Sequence, residues 1–481
     1  MSDQPPSPAP DGFPADSSAL EADLLESAPG QVGTGAGIAG ATDAEQPKAA
    51  PRLRTPDRFQ VVMNCGCPDE LVGPKHQVRI LWQVIEQQDW SAFSEPIKAR
   101  EGNAGRDATD PRILAALWLY AAIRNVGSAR ELDRLCKESD PFKWILGGVT
   151  VNYHMLAAFR VGHGDALDEL FTRILATLVD KGLVKGKRIT QDGMRVRAAA
   201  GAGSFRSEER LEKLLEESRQ VVKELREQVD NPAESAKKSA RKKAARQRAA
   251  QDRQHRLEEA VAQLPELKEK QQAAAQRAGN NGKRGKAILE KSPRVSTTDP
   301  EARVMKMPNG GFNPAVNVQL ATDTASRAIV GVEVCNEGSD SAGLAEPMRQ
   351  QVEARTGRKV QEHGLDGGYV KTEDLERAHE QGVALFIPAK PARNLDNRGK
   401  ELEPKPGDSE AVSAWKKRMA SAEGKEIYKL RASTSETVNA DLRQHRSLKQ
   451  FAVRGLEKVK CVTLWCALAY NVMIFAKVLT G

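Results

Sequence analysis

Residues 187–198, KRITQDGMRVRA, are where the pattern of this chain changes. Ile189, Gln191 and Gly193 alternate with Thr190, Asp192, Met194 and Val196, a period of two that marks a β-strand. The segment reads as a strand that runs off its sheet edge after Asp192. Before it, the periodic stretches are helical. HQVRILWQVIEQQDW, PRILAALWLYAAIRN and SARELDRLCKESD place apolar side chains three and four residues apart. Pro111 suits a first helical turn, and NVGS at 125–128 stops one helix while Ser128 caps the next. NYHMLAAFRVG and DALDELFTRILATLVDKG continue the pattern to a stop at Gly182. Connections this short imply antiparallel neighbours, so residues 59–185 read as an all-α domain.

The strand reading does not continue past about residue 206. In the charged stretch 207–291, Leu211, Leu215, Ser218, Val222, Leu225 and Val229 alternate spacings of four and three, a coiled-coil seam. Asn231 and Pro232 break that run, and a second arm carrying Leu257, Val261 and Leu264 folds back as a helical hairpin. Between the arms, RKKAARQR at 241–248 has five cations in eight residues; a solvated helix face and a nucleic-acid contact both fit it. After GNNGKRGK, strand patterns return in NPAVNVQLATDT, RAIVGVEVCNEGSD, VQEHGLDGG and VALFIPAK, with helices in SAGLAEPMRQQVEARTG and TEDLERAHEQG. The result is a mixed α/β sheet whose first strand is separated from its second by the hairpin. Residues 392–425, with Pro404 and Pro406, read as a loop or small insertion, and 433–479 as helical.

The composition sets limits. With 481 residues, about three domains are expected at roughly 150 residues each. Lys and Arg number 73 against 65 Asp and Glu, a net charge of +8 that permits a polyanionic partner and equally fits a solvated surface. Six scattered cysteines make no disulfide framework and point to a reducing cytoplasm. Residues 1–58, rich in Pro, Gly, Ala and acid, read as a disordered tail without the basic start and apolar run of a secretory signal. CVTLWCALAYNVMIFA at 461–476 falls short of the roughly 20 residues a bilayer needs and contains Asn471, so a buried terminal helix is expected. Collagen, a secreted mini-protein and an integral membrane protein are excluded.

Two acids stand at strand exits, Asp192 in ITQDGM and Asp366 in HGLDGGYV, where α/β sheets hold ligands; each alone is also an ordinary turn residue. Gly367 and Gly368 leave open backbone beside Asp366 for a bulky polymer. Glu436 opens the last helical region after KEIYKLRASTSE, with Ala440, Arg443 and Ser447 on its helical face, although it also reads as a first-turn capping acid near Ser433 and Thr434. Three carboxylates from separate segments can hold two Mg²⁺ about 3.5 to 4 Å apart for phosphoryl transfer. Other groups carry less. Cys65 and Cys67 have no second pair to complete a zinc site, and His154, His163, His363 and His379 lack metal-helix spacing. Asp299, Asp323 and Asp340 read as turn caps, and the absence of a Walker motif leaves ATP unsupported.

In ITQDGMRVRA, GLDGGYVKTEDLERA and YKLRASTSE, followed by VRGLEKVK and ALAYN, the chain resembles the bacterial insertion-sequence DDE transposases, which carry an RNase H-like catalytic domain. DPRILAALWLYAAIRNVGSARELDRLCKESDPFKWILGG resembles the N-terminal domain of that group, and the resemblance covers about residues 60–478. It implies a helical DNA-binding domain at 59–185, a catalytic domain at 186–206 and 292–481, and a helical insertion at 207–291. It implies a metal-holding triad of Asp192, Asp366 and Glu436, successive members standing 174 and 70 positions apart.

The relatives place Tyr, Arg, Glu and Lys in one signature. Tyr428 and Arg431 match it, Glu436 comes one residue late with Glu426 as a rival, and Arg443 stands at the lysine position; Tyr428, Arg431 and Arg443 would contact DNA. The implied activity is Mg²⁺- or Mn²⁺-dependent cleavage and strand transfer, with two ions, at the ends of an insertion sequence. The implied partners are terminal inverted repeats, target DNA and further copies of the chain in a dimer or larger synaptic complex, with no membrane, in a bacterial cytoplasm near the nucleoid. A metal-dependent nuclease without strand transfer, or an inactive DNA-binding or architectural protein, are the alternatives.

Overall fold

The computed structural model describes residues 66–99, 107–229, 237–279, 282–338, 343–369, 371–390 and 399–480. The tail expected at 1–58, Cys65, the Asn231–Pro232 break and Asp340 lie outside them. The first part is helical: α1 (Gln77–Glu86), α2 (Ser91–Ser94), α3 (Pro111–Ile123), α4 (Ala129–Glu138), α5 (Asp140–Leu146), α6 (Tyr153–Gly162) and α7 (Gly164–Asp180). The capping residues explain where these helices begin. Asp110 accepts from Arg112 N at 2.8 Å just ahead of Pro111, and Ser128 accepts from Glu131 N at 3.4 Å.

After β1 (Arg188–Arg197) the chain forms the short strand β2 (Phe205–Ser207), then α8 (Glu208–Val229), α9 (Lys237–Ala262), α10 (Leu264–Arg277) and α11 (Lys283–Leu289), and returns through β3 (Arg294–Ser296). β2 and β3 pair antiparallel into a ribbon at the base of the α8–α9 hairpin. A small core of Leu211, Leu215, Leu257, Ala260, Leu264 and Val295 fastens the hairpin to that ribbon. The rest of the chain supplies β4 (Arg303–Lys306), β5 (Phe312–Asp323), β6 (Ile329–Cys335), α12 (Ala345–Thr356), β7 (Glu362–Gly364), α13 (Thr372–Glu380) and β8 (Ala384–Phe386). It closes with α14 (Glu410–Ala420), α15 (Ala422–Arg431), α16 (Thr437–His445) and α17 (Leu456–Leu479).

The main sheet is mixed, in the order β4-β5-β1-β7-β8, with β6 pairing β5 beyond the β4 segment. β1 runs antiparallel to β5 and parallel to β7, which is itself parallel to β8. The expectation that β1 leaves its sheet after Asp192 is corrected here. Asp192 lies mid-strand opposite Leu320, and pairing with β5 continues to Arg197. It is β7 that stops, its last rung being Thr190 with Gly364. At that rung the packing is tight, since a Cβ at Gly364 would sit 3.0 Å from Thr190 Cγ2 and press that methyl aside by a few tenths of an ångström. Residues 392–425 also differ from expectation, because α14 and the first turn of α15 fall within them. Ser409 caps α14, and Ala411, Trp415 and Met419 at four-residue steps bury one face, with Trp415 and Met419 joining Leu385 and Phe386 in a core under β8. Three buried positions in an otherwise charged stretch are a faint signal without the sheet they cover.

One continuous hydrophobic core runs from α1, α3 and α7 through α17 to β1, β5 and β6. α17 is long and apolar enough by length and composition to cross a membrane, yet most of it is buried against α3, α7 and β6. Leu464, Leu468 and Val472 are each at most 1% exposed, a burial of about 1.5–3 kcal/mol per side chain. Its one interior amide has a structural task. Asn471 Oδ1 accepts from Ile329 N at 2.9 Å and its Nδ2 donates to Ile329 O at 2.8 Å. Gln351 of α12 does the same for Val332, accepting from N at 2.8 Å and donating to O at 3.1 Å. The outer edge of β6 is thereby satisfied by side-chain amides in place of another strand.

Candidate active site

Where β7 ends, β1 continues alone beside β5, and a crevice opens at the carboxyl end of the parallel pair. Asp192 borders it from β1. Asp366 follows β7 by two residues, and its carbonyl accepts from Tyr369 N at 3.0 Å in the 3₁₀ turn Gly367–Tyr369. The third wall is the helical run α15–α16, joined through a π-helical turn at Ala432–Glu436. Arg431 stands at the end of α15 and reaches all three acids. Its Nη1 lies 3.4 Å from Asp192 Oδ1, and its Nη2 lies 3.6 Å from Asp366 Oδ1 and 2.9 Å from Glu436 Oε1. Burial works against the Arg431 charge, but Asp192, Tyr428 and Asp366 outweigh it and raise its pKa above the ordinary arginine value.

The π turn accounts for the late position of Glu436. One extra residue in a helix is absorbed by widening a turn from i→i+4 to i→i+5 backbone bonding, as at Ala432–Glu436, where the Thr437 hydroxyl also donates to Ala432 O at 3.1 Å. Glu436 therefore returns to Arg431 although five residues separate them. The rival Glu426 points elsewhere: it is exposed and pairs with Lys429 at 2.6 Å. Tyr428 is half-buried with its ring centroid 6.0 Å from the Arg431 guanidinium carbon, and burial raises its pKa. Arg443 sits further along α16, donating to Arg195 O at 3.4 Å near the end of β1.

Sequence reasoning put Ala440 and Ser447 on the Glu436 face, and the structure corrects the second. Ala440, four residues on in the same helical run, is exposed as Glu436 is, while Ser447 lies past the end of α16, bonded to Asn125. The residue it missed is Asn439, three after Glu436 and four before Arg443, whose Nδ2 donates to Asp192 Oδ2 at 3.1 Å. Its helical spacing was the available signal. Gly193 N donates to Asp192 Oδ1 at 3.0 Å, so both carboxylate oxygens are oriented. Beneath them, Thr190 and Thr434 hydroxyls meet at 3.0 Å and tie β1 to the π turn, while Gln319 Oε1 accepts from Gln191 at 3.0 Å and from the Tyr369 hydroxyl. Asn439→Ala is expected to lower unfolding stability by about 1–2 kcal/mol, the worth of a hydrogen bond to a charged group, with Asn439→Asp no better because it faces a like charge. Urea denaturation at neutral pH checks it, and unchanged stability in both variants would show that the contact holds nothing.

The other sequence candidates have structural places. Asp323 accepts from Gly186 N and Ser326 N, both at 2.9 Å, and so caps a turn, whereas Asp299 accepts from the distant Gly455 N at 3.3 Å, just ahead of α17. His363 on β7 is wholly buried, and burial pushes its pKa far down, leaving it neutral. Among the described residues no three His, Cys, Asp or Glu side chains form a ready cluster for a metal ion. The trio around Arg431 nonetheless consists of hard carboxylate oxygens whose charge converges on one cation, a donor set that fits Mg²⁺ or Mn²⁺ once the guanidinium withdraws.

Two family models match the chain. One, described as a transposase DDE domain, covers residues 390–475 and so includes Tyr428, Arg431, Glu436, Asn439 and Arg443. The other, described as a transposase domain (DUF772), covers residues 67–161, the helices α1 to α5 and most of α6. No curated protein and no solved structure matches significantly. These two matches support an insertion-sequence DDE transposase, and between them the middle of the chain brings two aspartates to the guanidinium that the C-terminal glutamate also meets.

Proposed function

We propose that this transposase cuts DNA at the ends of an insertion sequence and joins the freed ends to target DNA, with Asp192, Asp366 and Glu436 as its catalytic carboxylates. The observation that carries the reading is the convergence of these three side chains, from three separate segments, on Arg431. We read the mixed sheet as an RNase H-like catalytic domain and the helices of 59–185 as the DNA-recognising part, the protein acting in the bacterial cytoplasm as a dimer or larger synaptic complex. Asp192, Asp366 and Glu436 would hold Mg²⁺ or Mn²⁺, two ions by the resemblance, whose chemistry when bound is activation of an attacking oxygen and neutralisation of a leaving one.

The chain's own residues do the rest. Asn439 and Gly193 N fix the Asp192 carboxylate, so its oxygens are already oriented when substrate arrives. Arg431, once released from the acids, is a rigid fork within reach of the same crevice and can pair with a backbone phosphate. Arg443 offers a second fork one turn beyond Asn439 on α16, and Tyr428 a half-buried ring and hydroxyl beside Arg431.

The experiment incubates the purified chain with DNA bearing the inverted repeats that flank its gene, with Mg²⁺. Cleavage followed by joining is expected from the wild type and from Glu426→Gln. Glu436→Gln is expected to lose both by about a hundredfold or more, a few kcal/mol of transition-state stabilisation. Cleavage without joining would identify a nuclease instead, and an active Glu436→Gln would remove that residue from the triad.

A further inference from the structure

The two arms of the α8–α9 hairpin are charged unequally. α8 is balanced, with seven acids and five bases between Glu208 and Val229. α9 carries nine Lys and Arg from Lys237 to Arg256 against Asp252 alone. The side of α9 turned to α8 is half-buried and mostly uncharged, with Gln247, Ala250, Gln251 and Gln254. Lys242, Arg246, Ala249 and Arg253, at steps of four, three and four, form an exposed stripe on the other side. No acid is paired with these three cations among the described residues; ion pairs of the region, such as Arg219 with Glu258, His255 with Glu259 and Lys268 of α10 with Glu208, involve other groups. Like charges three and four apart weaken a helix, so a stripe of this kind is maintained against helix stability unless a polyanion covers it.

The hairpin is also firmly rooted. It leaves from the β2–β3 ribbon, which follows the end of β1, the strand that carries Asp192. The buried cluster around Leu211, Leu257 and Val295, and the Lys268–Glu208 pair at 2.7 Å, hold its base. Lys242 to Arg253 spans about 17 Å along the helix axis, the length of about five base pairs of duplex.

We propose that the outer stripe of α9 is a sequence-independent clamp for the phosphate backbone of duplex DNA, extending the contact from the catalytic sheet to DNA beyond the cleavage point. This rests on the transposase reading above and adds a binding surface to it. The stripe neutralises phosphates without reading bases, so it contributes affinity and salt dependence and no specificity.

The test measures binding of the full-length protein to a random-sequence duplex of about 30 base pairs by fluorescence anisotropy, from about 50 to about 200 mM salt. The triple variant Lys242→Gln, Arg246→Gln, Arg253→Gln keeps strong helix formers at exposed positions, and circular dichroism checks that helix content is retained. Its log–log salt slope is expected to be shallower by about 2 to 3, with affinity at least about tenfold weaker. The control Lys213→Gln, Lys223→Gln, Arg226→Gln removes three exposed cations from α8 and is expected to keep the wild-type slope. A triple variant with the wild-type slope, or a control that loses as much, overturns the clamp while leaving the transposase reading intact. A wild type that does not bind the random duplex overturns the clamp alone, and one that binds neither it nor the end DNA overturns both.

Discussion

Asp192→Asn is expected to lower cleavage and joining by about a thousandfold or more, roughly 4 kcal/mol of lost transition-state stabilisation, while leaving affinity for the end DNA within about a factor of two. The substitution is close to isosteric. The side chain still offers an oxygen to Asn439 Nδ2 or Gly193 N, which now orient the carboxylate from both sides. Its backbone remains locked mid-strand between Leu320 of β5 and the end of β7. What disappears is one full negative charge at the point where Asp366 and Glu436 also converge. A site that holds divalent cations depends on that charge, whereas DNA binding gains slightly, if at all, from its removal. Gel-shift and end-joining assays on the same preparation separate the two effects. Cleavage within tenfold of wild type would remove Asp192 from the chemistry.

The second large effect concerns Arg431. Its side chain is only 12% exposed and forms ion pairs with acids that are 21%, 46% and 51% exposed. Arg431→Ala leaves three carboxylates facing one another without a counter-charge. Breaking a fully buried pair costs about 3–5 kcal/mol, and solvent access to Asp366 and Glu436 reduces that here to about 1–3 kcal/mol. The melting temperature in chelator is expected to fall by several degrees, at roughly 2–4 °C per kcal/mol for a chain of this order. Mg²⁺ or Mn²⁺ is expected to restore it, because an ion that binds the native state alone stabilises that state by mass action, and the competing guanidinium is gone. The wild type should gain much less from the same ion. Equal loss of stability with and without divalent ion would mean that the acids around Arg431 are not a metal seat. Full activity in Arg431→Ala would show that the side chain only fills the crevice.

Arg431 also explains why the candidate site was only partly legible beforehand. Tyr428, Arg431 and the acids can each be picked out in the sequence, but nothing local indicates that one guanidinium spans acids lying 239 and 65 residues upstream of it. The choice between Glu426 and Glu436 depends on a π turn, a single-residue widening that leaves no period of its own in ASTSE. Asn439 was readable from helical spacing alone, and the fixed direction of a helix face is the reason.

The sequence by itself determined the parts whose causes are local. The helices from α1 to α7 follow from apolar spacing and from caps such as Asp110 and Ser128. The switch to a strand at 188 follows from period two, the hairpin from its four-three seam, and α17 from an apolar surface on all sides. Only the tertiary structure decided how these parts meet. Pairing with β5 keeps Asp192 inside β1, where alternation alone suggested an exit, and the early end of β7 opens the crevice. The β8 core makes helices of a stretch that reads as loop, and Asn471 and Gln351 finish an edge strand that local pattern leaves open. The division has one physical cause: periodicity and capping act within a few residues, while register, edges and converging charges are set by segments far apart in the chain that come together only when the core closes.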